Sequence, residues 1–223
     1  MIESDGGTNG SAGGPEDLPL RERKKRATRQ RISDRATQLF LERGFDAVTV
    51  AEVARAAEVS AMTVFNHFPR KEDLLIDRIP EAVERFAGAV RHRAPDETPV
   101  AALRRLAVDL LDARHPLSGV DDDFPPFWRI VLDSPALRAR AREAVEELEA
   151  ALAEALAGTA PELPDPRLAA ALIVAAYRAV YVASAGRLLA GERADRVAPD
   201  HRARLDAAFD ALERALAGME RHR

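Results

Sequence analysis

An all-α fold is what the sequence predicts, with an N-terminal three-helix helix-turn-helix unit followed by a larger helical body. Three observations predict it. Leu, Ala, Glu and Arg dominate the chain, and period-two runs of β-branched residues are absent. Apolar residues recur at intervals of three and four. Capping residues and prolines punctuate the pattern at helix-length intervals, giving about nine helices across 223 residues.

Residues 1–19 carry five glycines and no apolar period, so a disordered tail is expected over 1–20. The first helix is expected from about Arg23 to Arg43, with Ile32, Ala36, Leu39 and Phe40 on one face. Gly44 then supplies a left-handed stop, and Phe45 the apolar contact that follows it. Thr49 and Glu52 are spaced as a capping box, and Val50, Val53, Ala54 and Ala57 line the inner side of a second helix. Ser60 caps a short third helix, which Val64 and Phe68 would pin inward against Leu39, Phe40 and Val53. Two short helices behind a longer amphipathic one make helix-turn-helix geometry.

A fourth helix is expected from Lys71, kinked or split at Pro80. Helices over 99–115 and 124–133 follow, then one with Ser134 as N-cap and Pro135 at N1. The last two are expected over 166–190 and 199–219.

Net charge is −4, but it is unevenly spread. Residues 21–71 sum to +6, with seven bases in the eleven residues "RERKKRATRQR". A basic N-terminal part on an acidic body points to nucleic acid. Thirty of the 33 bases are arginine, a bias that codon usage can produce, so their clustering carries more weight than their number.

The chain has no cysteine, which excludes disulfides and thiolate metal sites and fits a reducing cytoplasm. The N-terminal stretch lacks the apolar segment of a secretory signal. The longest apolar run, Ala169–Tyr177, is too short to span a bilayer, so a cytoplasmic protein without a membrane segment is expected. Nucleotide-binding glycine loops, H-E-x-x-H and nucleophile elbows are absent, and His115 with Ser118 makes no hydrolase. The triplet Asp121, Asp122 and Asp123 lacks ligand spacing and reads as a solvated loop. No enzyme, cofactor or metal is implied.

"ATQLFLERGFDAVTVAEVARAAEVSAMTVFNHFPRKEDLL" resembles the DNA-binding domain of the TetR (tetracycline repressor-like) family, over roughly residues 27–79. The Phe-x-x-x-Gly-Phe turn, the Thr-Val capping box, the Val-Ser cap, Thr63, Phe65, Phe68 and Lys-Glu-x-Leu stand in register. Phe65 and His67 replace tyrosines common in that family. The resemblance implies a homodimer that binds a palindromic double-stranded operator through domain 21–70, with 71–223 binding a small-molecule effector and dimerising. The expected regulator is a repressor that the effector releases. A ligand-independent regulator with a purely dimerising or partner-binding body is the alternative.

Under that reading Ala61, Met62, Thr63 and Asn66 face the bases of the major groove. Arg26, Arg29, Thr49, Ser60, His67 and Lys71 contact the phosphate backbone. Phe86, Phe124, Phe127, Trp128, Tyr177, Arg178 and Tyr181 are candidates for the effector pocket. Leu172, Ala176 and Ala179 face Leu205, Phe209, Leu212, Leu216 and Met219 as the candidate dimer interface, with intramolecular core as the competing reading for about half of them.

Overall fold

The computed structural model describes residues 20–161 and 163–220, and the expected tail at 1–19 and the side chain of Met219 lie outside what is described. Among the described residues there are nine α-helices and no strand: α1 (Leu20–Arg43), α2 (Val50–Ala56), α3 (Ala61–His67), α4 (Ile79–Arg91), α5 (Pro99–Asp112), α6 (Phe124–Asp133), α7 (Pro135–Thr159), α8 (Pro166–Leu189) and α9 (Ala194–Glu220). Short 3₁₀ turns stand at Glu72–Leu74 and Pro116–Ser118.

The expected fourth helix does not run from Lys71. It begins at Ile79, with Pro80 in its first turn. Helix entering from Lys71 would need a residue-80 N–H to reach the Ile76 carbonyl, and proline has none. In the first turn that donor is unpaired anyway, so Pro80 starts α4 rather than kinking it. The last helix starts earlier than expected, at Ala194, and carries Pro199 inside it. Its start is capped from a distance: Asp122 Oδ1 accepts the Ala194 N–H at 2.7 Å.

Two large apolar clusters hold the chain, with a smaller third around Leu111, Val120, Leu188 and Val197. The first gathers Ile32 and Phe40 from α1, Val53 from α2, Val64 and Phe68 around α3, and Leu74 and Leu75. Val131 of α6 and Leu137 of α7 complete it, so the α6–α7 corner is packed into the core of the three-helix unit. Arg140 of α7 reinforces that joint, with Nε donating to Asp73 at 2.7 Å and Nη1 to Glu147 at 2.8 Å. The second cluster joins α4, α5, α7, α8 and α9 around Phe86, Leu103, Leu156, Ile173 and Phe209.

Leu205, Phe209, Leu212 and Leu216 lie within that second cluster. They are intramolecular core, not a free interface. Periodicity identifies an apolar face, and here the same chain already covers it. The α8 residues fare differently: Leu172 and Ala179 are exposed and Ala176 is half-buried. α8 is long and apolar enough to cross a membrane by length and composition, beyond the shorter run read from the sequence. Its apolar character has two sides. Ala169, Ile173, Val174, Val180 and Leu188 face the core, while Leu168, Leu172, Ala175, Ala179, Val182 and Gly186 stay exposed at spacings of four and three.

His201 of α9 is 1% exposed, and its Nδ1 lies 2.8 Å from Ser184 Oγ of α8. Burial pushes the imidazole down to about 4. A base whose folded pKa is depressed contributes stability that is fully present above its unfolded value and lost as pH falls toward the folded one. Urea unfolding should therefore give about 2–3 kcal/mol less stability near pH 4.5 than near pH 7.5 from this group alone. In His201→Gln that portion of the pH dependence should vanish. An unchanged profile would mean that His201 is protonated within the fold.

Candidate nucleic-acid interface and the aromatic cluster behind it

α3 has only seven residues, so it depends on its caps and neighbours. Ser60 Oγ accepts the Thr63 N–H at 3.0 Å and lies 2.8 Å from Thr63 Oγ1. Val64 is fully buried, which fixes the opposite side outward. That side presents Ala61, Met62, Phe65 and Asn66, with Thr63 and His67 half-buried at its edges. Met62 is 68% exposed and Phe65 48%. Phe65 was not among the sequence-derived contacts. Its place one turn after the exposed Ala61 is the available signal.

Thr49 is exposed at the start of α2, where its hydroxyl donates to Glu52 Oε2 at 2.8 Å and its oxygen accepts the Glu52 N–H at 3.3 Å. The Thr49 backbone N–H, with the hydroxyl and Arg43, holds the Glu52 carboxyl down to about 2. Burial, aided by Arg29 and Lys25, pushes His67 below its ordinary range, so it is a neutral hydrogen-bonding ring near pH 7. Lys71 sends its Nζ over the Phe45 ring, 4.2 Å from the centroid.

The basic run divides into two groups. Arg21, Arg23, Lys24, Lys25 and Arg26 are exposed. Arg29 is half-buried, and Arg31, though exposed, is tied to the backbone. Arg31 Nε donates to the Ala57 carbonyl at 3.1 Å. Arg29 Nη1 donates to the His67 carbonyl at 2.6 Å, Nη2 to the Asp77 carbonyl at 3.1 Å, and the guanidinium lies 4.1 Å from the centre of the Phe68 ring. Arg29, expected on a phosphate, instead fastens the end of α3 to α1 and to the segment before α4. One turn on, Ser33 Oγ donates to Asp77 Oδ2 at 2.6 Å.

Behind this unit six of the seven aromatic-pocket candidates form one chain of ring contacts. Phe86 meets Tyr177 edge-on at 5.0 Å, Tyr177 lies 6.3 Å from Tyr181, and Tyr181 lies 5.9 Å from Trp128. Phe124 stacks on Phe127 at 5.1 Å and meets Tyr181 at 6.3 Å. Gly119, at φ 70°, makes room for Tyr181: a Cβ there would stand 2.3 Å from the ring. Tyr177 donates to the Leu117 carbonyl at 3.2 Å, and burial raises both phenols well above their ordinary range. Trp128 Nε1 is buried near the Tyr181 phenol and meets no hydrogen-bond acceptor in full geometry among the described residues. Arg178 does not join the cluster. It is exposed on α8, whose two apolar sides conceal from the sequence which face turns inward.

The remaining polar motifs are structural. His115 Nδ1 accepts the Leu117 N–H at 3.2 Å, so Nε2 carries the proton and donates to Glu81 at 3.1 Å. Asp121 accepts the Asp123 N–H at 2.8 Å and Asp122 pairs with Arg193 at 3.1 Å. No group of His, Asp and Glu suited to a metal ion occurs among the described residues.

Residues 32–77 match the family described as bacterial regulatory proteins, tetR family. Over 202 residues the chain is 33% identical to the HTH-type transcriptional regulator TcmR of Streptomyces glaucescens, covering 88% of this chain and 84% of that one. Thermus thermophilus FadR, a TetR-family transcriptional repressor solved with lauroyl-CoA, is 27% identical with a TM-score of 0.52, over 82% of this chain and 92% of that one. A TetR-family regulator from Mesorhizobium loti shares the fold at 20% identity and a TM-score of 0.55, over 85% of this chain and 96% of that one. With a capped three-helix reading unit and a helical body matched along most of its length, the chain belongs to the TetR family of helix-turn-helix transcriptional regulators.

Proposed function

We propose that the chain acts in the cytoplasm as a homodimeric repressor, bound to a palindromic operator and released by a small molecule. The exposed face of α3 carries this reading. It offers Ala61, Met62, Thr63 and Asn66, and also Phe65, to base edges, while Val64 and Phe68 are withdrawn into the core. Arg26 and its exposed neighbours, with Ser60, Thr49, His67 and Lys71 around α3, suit phosphates. Residues 21–70 form the DNA-reading part and 71–223 the effector-binding and dimerising part. The relative FadR was solved with lauroyl-CoA, which supports a ligand-responsive body. For dimerisation the exposed α8 stripe through Leu172 and Ala179 replaces the buried leucines of α9.

Paired titrations test the two kinds of DNA contact. Arg26→Met should weaken operator and random DNA alike and flatten the salt dependence by about 0.9 per lost phosphate contact. Asn66→Ala should cost about 1–3 kcal/mol on the operator, remove discrimination at one position per half-site and leave the salt slope nearly unchanged. Wild-type preference in Asn66→Ala would contradict the groove-facing assignment of α3.

A further inference from the structure

A cleft of about 330 Å³ opens between α1, the start of α4 and the 116–127 segment. That is at the small end of ligand-sized pockets, which span about 300–1,000 Å³. Its inner wall is aromatic, formed by Phe124, Phe127 and Tyr181, the outer part of the ring cluster. Its mouth is acidic. Asp34 and Asp77 both line it, and neither belongs to an ion pair among the described residues. Asp34 accepts only the Gln30 amide at 2.7 Å, and Asp77 only the Ser33 hydroxyl at 2.6 Å. The lining includes one cationic side chain, Arg78, whose guanidinium is engaged by Glu81 at 2.8 Å.

Aromatic faces and unpaired carboxylates together select one chemistry. Rings present their negative faces to a cation, and a carboxylate supplies directional acceptors for an ammonium. An anionic or acyl-phosphate ligand would meet repulsion at this mouth. We propose that this cleft binds a small aromatic ammonium compound, its rings against Phe124, Phe127 and Tyr181 and its nitrogen on Asp77 and Asp34. This names a ligand class and a place for the effector, and only its regulatory half rests on the DNA-binding function proposed above.

That half follows from what Asp77 already holds. Its carboxylate takes the Ser33 hydroxyl, and its carbonyl takes Arg29, whose other nitrogen grips the last carbonyl of α3. Arg29 and Ser33 stand one turn apart on α1. An ammonium drawing on Asp77 competes with Ser33 and loosens α1 from the start of α4, which displaces the unit that carries α3. A ligand shifts that equilibrium only by its differential affinity for the loosened state.

The full chain provides its own reporter, since Trp128 is the sole tryptophan and touches Phe124, Phe127 and Tyr181. The DNA-free protein is titrated with 4-phenylbenzylamine, and separately with 4-phenylbenzyl alcohol, its uncharged counterpart. The amine should change Trp128 fluorescence with an affinity about tenfold above that of the alcohol. In the Asp34→Asn, Asp77→Asn double variant the two should bind about equally. Phe127→Ala should weaken both. Equal binding of the two compounds to wild type, a preference that survives in the double variant, or no binding by either would overturn the site. Addition of the amine to the protein–DNA complex then tests the coupling separately. Release that the double variant lacks supports it. Amine binding without any loss of DNA affinity overturns the regulatory half while leaving both the site and the DNA-binding function standing.

Discussion

Arg29→Met is expected to cut operator affinity by about a hundredfold without flattening its salt dependence. The guanidinium makes two hydrogen bonds that bridge three segments, to the His67 carbonyl and the Asp77 carbonyl, while covering the Phe68 ring. Hydrogen bonds from a charged donor contribute roughly 1.5–3 kcal/mol each, and a carbonyl left buried without its donor carries a further cost. α3 is only seven residues long and has no reserve of its own helical stability. Losing the Arg29 clamp should leave its last turn frayed and its base-facing side chains misplaced. Thermal unfolding should fall as well. A phosphate contact would behave otherwise: operator and random DNA would weaken together, and the salt slope would drop by about 0.9. The same titrations on Arg26→Met provide that comparison within one protein.

The second large effect concerns assembly. Leu172→Glu with Val182→Glu should convert the proposed dimer into folded monomers and remove nearly all operator binding. Leu172 is 38% exposed and Val182 55%, so neither carboxylate disturbs the core of the isolated chain. They sit within the α8 stripe, flanked by Leu168, Ala175, Ala179 and Gly186. A two-fold interface presents each substitution twice, placing four like charges on one patch. Burying such charges unpaired costs several kcal/mol, enough to raise the dimer dissociation constant by more than about a thousandfold. Sedimentation should show a monomer with an unchanged helical spectrum. Two half-sites then bind separately and the gain from linkage is lost. A doubly substituted chain that remains dimeric would place the interface elsewhere.

The reading unit was legible in the sequence because its determinants are local. The Thr49–Glu52 box and the Ser60 cap each act within three residues, and both form as spaced. The buried faces followed from the helical period alone. What lay beyond the sequence depends on partners far along the chain. Ser33 and Asp77 are 44 positions apart, so neither the latch nor the acidic cleft mouth has a local signature. Arg29 looked like part of a basic arm because charge clustering does not record where a guanidinium points. On α9 the stripe Leu205–Leu216 marked an apolar face correctly but not what covers it, and α5 and α8 of the same chain do. On α8, apolar residues on both sides removed the contrast that would have turned Arg178 outward. A proline in the first turn and a proline at a break carry the same residue code, so the sequence alone does not distinguish the start of α4 at Pro80 from an interruption there.

Two α3 faces, held by the proposed α8-mediated dimer, are expected to read successive major grooves on one side of the duplex. Selection of bound sequences from random DNA by the wild-type chain and by Asn66→Ala tests it most directly. The wild type should enrich a palindrome whose half-site centres lie about one helical turn, roughly 34–36 Å, or a whole multiple of that apart. Asn66→Ala should enrich the same palindrome with preference lost at one symmetric pair of positions. Enrichment of an asymmetric site, or of identical sequences by both proteins, would contradict it.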